Sequence, residues 1–196
     1  MKGRGGKTGS TKAREAASAA ERFEMEALGL SPGGAGFRAG RGPGRRSLPP
    51  VPRTAIKAPG FLNEATDYRP LASSFSRGLR VPLGGGTALL LISGTASVDE
   101  EGLTVHPGDF RAQCWRTLRN ITGLLEAEGA DWRDIVRTTC YIRDIERDYA
   151  DFNEVRTWFF RALRLDPAPA STAIQARICR SDLLVEIEAM AIVRER

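Results

Sequence analysis

The order of hydrophobic patterns between residues 75 and 193 constrains the fold more than any other feature of this sequence. Five segments show period-two alternation or a short apolar run, as β-strands do, and two longer segments show the apolar spacing of amphipathic helices. Their order along the chain is β-β-α-β-α-β-β. This order predicts an α+β sandwich in which two helices cover one sheet.

The boundaries of these elements follow from local signals. The GGG turn at 84–86 separates the first two strand patterns and predicts a β-hairpin. Asp109 stands before the first helical pattern as a candidate N-cap, and Gly129 follows that pattern as a stop signal. The second helical pattern opens at Asp148 or Asp151. The predicted strands span 75–83, 87–95, about 135–142, 171–179 and 183–193.

The strand predicted at 183–193 carries acids on one of its faces. Its apolar face consists of Val185, Ile187, Ala189, Ala191 and Val193. Glu186 and Glu188 alternate onto the other face, beside Met190 and Ile192. An unpaired carboxylate is costly to bury, so each glutamate needs a cation, a hydrogen-bond partner, a proton or solvent. We therefore expect this face to meet something other than a sealed apolar core.

The first part of the chain is basic and rich in glycine and proline. Residues 1–60 contain 12 Lys or Arg against 4 Asp or Glu, with 12 of the 21 glycines and 6 of the 11 prolines. With so few apolar residues, hydrophobic burial does not offset the conformational entropy that this segment would lose on folding. A short helix within 12–30 is the exception, and it would gain stability only against a partner. We predict a disordered arm at 1–65 and a domain at 70–196.

The positive charge of this arm suits RNA or another polyanion. The arm nearly lacks the aromatic side chains that stack on bases, so a solvated tail is the favoured interpretation. Nucleic acid is therefore a conceivable partner through the arm but not the favoured one.

Cysteine and histidine usage argues against metal and disulfide chemistry. Cys114, Cys140 and Cys179 form no CxxC pair, and His106 is the only histidine. Cys114 and Cys140 fall on predicted apolar faces and are expected in the core. No apolar run reaches the length of a membrane-spanning helix, and the N-terminus lacks the apolar region of a secretory signal. We expect a cytoplasmic protein with reduced thiols, no metal and no membrane partner.

Several local strings resemble the Rid family, the YjgF- and RidA-like proteins whose founding members are enamine and imine deaminases. The strings are LLISGTAS, HPGDFRAQCWRTLRNITGLLEAEGADWRDIVRTTCYIRDI, DFNEVRTWFF and VEIEAMAIV. Their order and spacing carry the resemblance, which covers about residues 72–193. It implies a chorismate-mutase-like (YjgF-like) fold, homotrimers without cofactors, and pockets in clefts between subunits.

The resemblance also implies roles for individual residues. Glu186 matches the glutamate that positions or protonates the attacking water or the substrate, and a structural acid paired at an interface is the alternative. Ser93 and Gly94 match a pocket-lining pair. Phe75 stands where the deaminases usually carry tyrosine. Asn153, in the NEV string, either lines the pocket or packs at a helix start.

One departure from the family pattern concerns substrate binding. The deaminases carry an arginine in a PARS-type string that grips the substrate carboxylate, whereas this chain has PAPASTAI, with Ala170 or Ser171 at that position. The candidate replacements are Arg77, Arg177 and Arg180.

A second branch, the chorismatases, is also similar. Those proteins carry this fold in duplicate and release pyruvate from chorismate. The string ARICRSDLLVEIEA resembles theirs, and their pocket cysteine and glutamate match Cys179 and Glu186. A carboxylic acid of raised pKa is a suitable general acid for cleaving an ether.

Three hypotheses follow for a protein that binds a small carboxylate-bearing metabolite. The first is a metal-free and cofactor-free hydrolase that acts on enamines or imines, with Glu186 and an arginine (Arg77 or Arg177) in its pocket. The second is a chorismatase-like lyase or hydrolase that depends on Glu186 and Cys179. The third is a non-catalytic metabolite- or RNA-binding protein.

Overall fold

The computed structural model describes residues 19–28, 30–33, 36–39, 49–68 and 73–194. The chain divides into two compact units, Met1–Pro50 and Val51–Arg196. Within these described ranges, no helix is both long and apolar enough to span a bilayer.

The first unit contains one helix and one small hairpin. Helix α1 spans Ala19–Ala27, inside the segment where the sequence predicts a short helix. Strands β1 (Leu30–Gly33) and β2 (Gly36–Ala39) pair antiparallel. Phe23 on α1 is 69% exposed, so the apolar side of this helix is not buried. The disorder predicted for 1–18 and for 40–48 lies outside the described residues.

The second unit is built on one six-stranded sheet. Its strand order is β3-β4-β5-β8-β6-β7, with β6 and β7 parallel and all other neighbours antiparallel. The strands are β3 (Thr54–Ala55), β4 (Gly78–Gly84), β5 (Thr87–Ala96), β6 (Ile135–Ile142), β7 (Ala170–Gln175) and β8 (Val185–Arg194). The predicted α+β class and the predicted order of five strands and two helices are confirmed, and β3 is an addition at the sheet edge.

Two helices cover one face of this sheet. Helix α2 spans Phe110–Glu126, and helix α3 spans Ile145–Ala162. The apolar face of β8 is buried beneath them, as its alternation predicts: Val185 and Ala191 have no exposed surface. Cys114 and Cys140 lie in the same core, which confirms their predicted burial.

The start of α3 differs from the prediction. The helix begins at Ile145 because the Asp144 carboxylate accepts a hydrogen bond from the backbone N–H of Arg147, which makes Asp144 the N-cap. Asp148 and Asp151 therefore lie inside the helix, and the predicted start at either of them is wrong. The Asp109 cap of α2 is confirmed, since its carboxylate accepts from the backbone N–H of Ala112 at 2.9 Å.

The fourth predicted strand is shorter than its apolar pattern suggests. It ends at Gln175, and residues 176–184 form a loop that returns to the start of β8. The Arg143 guanidinium binds this loop by donating from Nε to the carbonyl of Leu183 at 2.6 Å. The loop is therefore held by side-chain hydrogen bonds, and Cys179 within it is exposed.

Residues 51–68 pack with the second unit, although the sequence predicts the domain only from residue 70. Ile56 and Leu62 are 0% and 1% exposed and belong to the hydrophobic core. The backbone N–H of Ile56 donates to the carbonyl of Gly78 at 2.9 Å, beside the β3–β4 pairing. This segment thereby extends the sheet edge beside β4, the strand that directly follows Phe75 and Arg77.

The opposite face of the sheet, which we call the open face, is only partly buried. It carries Leu79, Leu91, Ser93, Arg137, Thr139, Glu186, Glu188, Met190 and Ile192. Ile192 is 46% exposed and Met190 is 36% exposed. Both predicted acids of β8 therefore lie on this face and not in the core.

Candidate functional site

Glu186 lies in a groove where β5, β8 and the 176–184 loop meet. This groove, which we call the Glu186 groove, has a volume of about 410 Å³. It is lined by Tyr68, Ser73, Phe75, Arg77, Ser93, Gly94, Ala96, Val98, Cys179, Arg180, Leu183 and Glu186. The structure thus brings together most of the residues that the family resemblance assigned to a pocket.

A bulge in β5 makes room for the Glu186 side chain. The register between β5 and β8 shifts between Ile92 and Thr95, which places Ser93 and Gly94 at the irregular point. A Cβ atom added to Gly94 would lie 1.9 Å from Oε1 of Glu186. The carboxyl group therefore rests directly against the backbone of Gly94, and only glycine leaves space for it.

The environment of Glu186 favours its protonated form. Burial raises the pKa of its carboxyl above the ordinary value of 4.5, and the nearby negative charge of Glu188 raises it further. Among the described residues, no arginine lies within ion-pair distance of this carboxyl to oppose the shift. A carboxyl of raised pKa is suited to exchange protons with a substrate as a general acid and base.

Ser93 is held by hydrogen bonds to the preceding strand. Its hydroxyl donates to the carbonyl of Ser76 at 2.8 Å, and its backbone N–H donates to the carbonyl of Arg77 at 3.0 Å. The hydroxyl proton is therefore engaged, while the oxygen can still accept a hydrogen bond. The arrangement suits an acceptor for a substrate N–H or O–H and gives Ser93 no adjacent base.

An aromatic pair forms one wall of the groove. Phe75 lies edge-on to Tyr68, with ring centroids 6.4 Å apart. The Tyr68 ring in turn contacts two guanidinium groups, those of Arg77 at 5.0 Å and Arg180 at 5.1 Å. Tyr68 therefore provides a phenol in the groove, although Phe75 lacks the hydroxyl of the family tyrosine. The sequence pattern gave no signal for Tyr68, which precedes the predicted domain.

The two arginines of the groove differ in their freedom. Arg77 is 3% exposed, and its Nε and Nη2 donate to the backbone carbonyl and side-chain oxygen of Asn63 at 2.8 and 3.1 Å. Arg180 is half-buried and donates from Nη1 to the carbonyl of Gly102 at 2.6 Å. Within the described part of the chain, neither has a carboxylate at ion-pair distance. Arg180 is therefore accessible to an anionic ligand, while the buried Arg77 adds positive charge to the wall of the groove.

Two buried side chains fix the loop that carries Cys179 and Arg180. Gln113 of α2 has no exposed surface, and its amide donates to the carbonyl of Asp182 at 2.8 Å and accepts from the backbone N–H of Leu184 at 2.8 Å. Arg143 binds the same loop through the bond to Leu183 described above. Sequence reasoning missed both, although a glutamine within the apolar stripe of a helix is a visible signal.

Two predicted site residues lie elsewhere. Arg177 lines a separate groove with Arg143, Gln175 and Ala176. Asn153 faces Arg156 on α3 and accepts a hydrogen bond from its Nη2 at 2.5 Å. The structure therefore separates both residues from Glu186.

A second groove adjoins the first along the open face. This Arg137 groove has a volume of about 450 Å³ and shares Phe75 and Ser93 with the Glu186 groove. Its other lining residues are Ser76, Leu79, Leu91, Ile92, Arg137, Thr139, Glu188, Ala189 and Met190. Neither Arg137 nor Thr139 is among the site residues that the sequence predicts.

Comparisons with known proteins agree with this architecture. The family model for endoribonuclease L-PSP matches residues 69–193. A RutC family protein of Pyrococcus abyssi is 32% identical over 102 residues, covering 52% of this chain and 76% of that protein.

Solved structures match over nearly their whole length. The YjgF gene product of E. coli has 27% identity and a TM-score of 0.57, covering 72% of this chain and 99% of that chain. E. coli TdcF with bound serine has 26% identity and a TM-score of 0.57, covering 71% and 98%. This chain therefore belongs to the endoribonuclease L-PSP family, the Rid group of YjgF- and RidA-like proteins.

Proposed function

We propose that this protein hydrolyses imines or enamines of small carboxylate-bearing metabolites in the Glu186 groove. The observation that carries the proposal is the carboxyl of Glu186, whose pKa is raised and which lies against Gly94 in a groove with two arginines. The structure of TdcF with bound serine supports an amino-acid-like ligand for this fold.

The groove supports a sequence of proton transfers without a metal or cofactor. Protonated Glu186 donates its proton to the imine nitrogen, or to the β-carbon of an enamine, which makes the adjacent carbon electrophilic. Water adds to that carbon, and the Glu186 carboxylate accepts the proton released by the water. Glu186 then returns this proton to the amino group of the resulting tetrahedral amino alcohol, the C–N bond breaks to release ammonia, and the carboxylate takes the hydroxyl proton as the carbonyl product forms. Ser93 accepts a hydrogen bond from the substrate during these steps.

The arginines of the groove take over the role of the missing family arginine. Ala170 or Ser171, the first two residues of β7, stands where the deaminases carry the carboxylate-binding residue. Arg180 and Arg77 instead present two guanidinium groups beside Glu186. A charge-assisted contact of this kind contributes about 1.5 to 3 kcal/mol, or roughly 10- to 100-fold in binding.

The proposal includes a homotrimer in the cytoplasm. Met190 and Ile192 are apolar and partly exposed on the open face. Covering this face with further copies of the chain would remove apolar surface from water and enclose the grooves. Each groove would then become a cleft between subunits.

The first test compares wild-type protein with Glu186→Gln and with Glu126→Gln, an exposed glutamate on α2. Ammonia release is followed from an enamine generated in situ from serine by a dehydratase. We expect Glu186→Gln to lower the rate by about 100-fold or more, as loss of a general acid does. Glu126→Gln should match the wild type. An unchanged rate in Glu186→Gln, with the same oligomer by light scattering, contradicts the proposal.

A chorismatase-like reaction is the second candidate. The observation in its favour is that Cys179 and Glu186 line the same groove. This candidate requires pyruvate release from chorismate that is lost in both Glu186→Gln and Cys179→Ser. Ammonia release without pyruvate release would favour the deaminase.

A nucleic-acid role is the third candidate, and the family description as an endoribonuclease favours it. It requires RNA binding that weakens with salt and disappears when residues 1–50, the first compact unit, are deleted. Ammonia or pyruvate release that depends on Glu186 should be unchanged by that deletion.

A further inference from the structure

Arg137 is a cation on the open face without an acidic partner. It lies on β6 and lines the Arg137 groove, where its Nη2 donates to the hydroxyl of Thr172 at 3.3 Å. Within residues 51–68 and 73–194, no carboxylate lies at ion-pair distance from its guanidinium. Most of its N–H donors therefore remain for a ligand.

The groove around Arg137 is concave and mostly apolar. Leu79, Leu91 and Met190 line it, together with Phe75, one of the two residues shared with the Glu186 groove. The Arg137 side chain is exposed, so its guanidinium is accessible to a ligand that enters the groove. A planar carboxylate is the ligand group that a guanidinium binds best, through two parallel hydrogen bonds.

Among the described residues that line this groove, Glu188 is the single carboxylate. It lies opposite Thr139 in the pairing of β6 with β8, whereas Arg137 lies opposite Met190. Burial raises the pKa of the Tyr141 hydroxyl, and the charge of Glu188 and a hydrogen bond to it raise this pKa further. Glu188 thus interacts with Tyr141, while Arg137 is the cation among the described residues that line the groove.

We propose that the Arg137 groove binds the second carboxylate of an elongated dicarboxylate whose reacting end lies at Glu186. This inference rests on the proposed function and specifies its substrate class. Glu186 lies opposite Tyr141, which is four residues along β6 from Arg137 and therefore about 13 Å from it along the strand. Both side chains point onto the open face, which shortens the span that a ligand must cover. Phe75 and Ser93 connect the two grooves along this path.

The test compares two 2-oxo acids of the same chain length, the class of product that the proposed hydrolysis releases. 2-Oxoadipate carries a distal carboxylate, and 2-oxohexanoate carries a methyl group there. Their Kd values are measured by calorimetry on wild type, Arg137→Ala and Arg161→Ala, which removes an exposed arginine at the end of α3. We expect wild type and Arg161→Ala to bind 2-oxoadipate about 10-fold or more tightly than 2-oxohexanoate.

Arg137→Ala should remove that preference and leave the Kd of 2-oxohexanoate unchanged. Equal affinities in the wild type would overturn the inference. A preference that persists in Arg137→Ala would also overturn it, and an accompanying loss of oligomer in light scattering would assign Arg137 to a contact between copies. The same preference in Glu186→Gln, measured without catalysis, separates this inference from the proposed function. If the protein releases no ammonia but still prefers 2-oxoadipate to 2-oxohexanoate, the proposed reaction is contradicted and the inference about Arg137 is not.

Discussion

The pKa of Glu186 is raised partly because its carboxyl forms no ion pair with the arginines of the groove in the described part of the chain. Arg77 and Arg180 line the same groove, yet neither lies within ion-pair distance of the Glu186 carboxyl in the described part of the chain. An adjacent guanidinium would lower the pKa of this acid and keep it ionised. Burial and Glu188 instead raise the pKa, so the group can act as an acid while the arginines hold a ligand.

The raised pKa of Glu186 predicts how stability depends on pH. Between the ordinary value of 4.5 and the raised pKa, the folded protein binds more protons than the unfolded chain, so the free energy of unfolding falls as pH rises. Glu186→Gln cannot ionise and avoids this loss. We expect its Tm relative to wild type to increase as pH rises from about 4.5 to about 8.

Calorimetric scans across that range measure the difference in Tm. Glu126→Gln, at an exposed position of α2, should show no such trend. A difference that stays flat or decreases with pH for Glu186→Gln would mean that the folded protein does not favour the protonated carboxyl.

Gly94 predicts a second effect at the residue scale. In Gly94→Ala the new Cβ would lie 1.9 Å from Oε1 of Glu186, so the carboxyl must move away from β5. We expect a loss of about 100-fold in ammonia release, because small displacements of a catalytic group are costly. Gly60→Ala is the matched control, since nothing lies within 4 Å of its added Cβ. A fully active Gly94→Ala would show that the position of Glu186 against the strand is dispensable.

Some residues of the candidate site could be predicted from sequence and others could not. The alternation of β8 placed Glu186 on the face away from the core, and the family strings placed Ser93, Gly94 and Phe75 beside it. Asn153 was predicted near the pocket from its NEV string, and Arg177 as a candidate replacement for the missing family arginine. Their side chains point elsewhere, and nothing in a local string sets the direction of a loop or helix side chain.

At the scale of elements, the 176–184 loop depends on residues from distant parts of the chain. Gln113 of α2 makes three hydrogen bonds, to His106, Asp182 and Leu184, from a fully buried position. Removing the amide leaves several buried backbone groups without partners. The loop that brings Cys179 and Arg180 to the groove therefore rests on one helix side chain.

Gln113→Ala should lower the free energy of unfolding. It should also weaken ligand binding, because the loop that Gln113 holds carries Arg180 to the groove. We expect a loss of about 2 to 4 kcal/mol in the free energy of unfolding, because buried polar groups lose their partners. Gln175→Ala, at an exposed position where one hydrogen bond is lost, should cost about 1 kcal/mol or less. Urea unfolding measures both. Equal losses in the two variants would mean that the Gln113 bonds do not hold the loop.

The elements themselves were largely predictable, because their hydrophobic periods are regular. The strand at 135–142 and both helices occur where the apolar spacing places them. The sequence-based prediction was wrong where a side-chain hydrogen bond sets the boundary of a helix. Asp144 competes with Asp148 and Asp151 as a cap, and only the tertiary position of the chain selects among three aspartates.

At the scale of the whole molecule, the open face predicts the oligomer. Ile192→Lys places a charge among apolar side chains that further copies would cover, so the proposed trimer should dissociate. Leu103→Lys is the matched control, because Leu103 is 65% exposed in the loop between β5 and α2. Light scattering measures the mass. An unchanged mass for Ile192→Lys would show that this face does not assemble copies.

The central position of β8 has a consequence for biosynthesis. β8 joins β5 to β6, yet it is translated after both of them. While the ribosome is still making the chain, each of those strands emerges with an unpaired edge, a template for association with other nascent chains. Substitutions that weaken β8 should therefore appear first as a lower yield of soluble protein, and only later as a defect in the purified molecule.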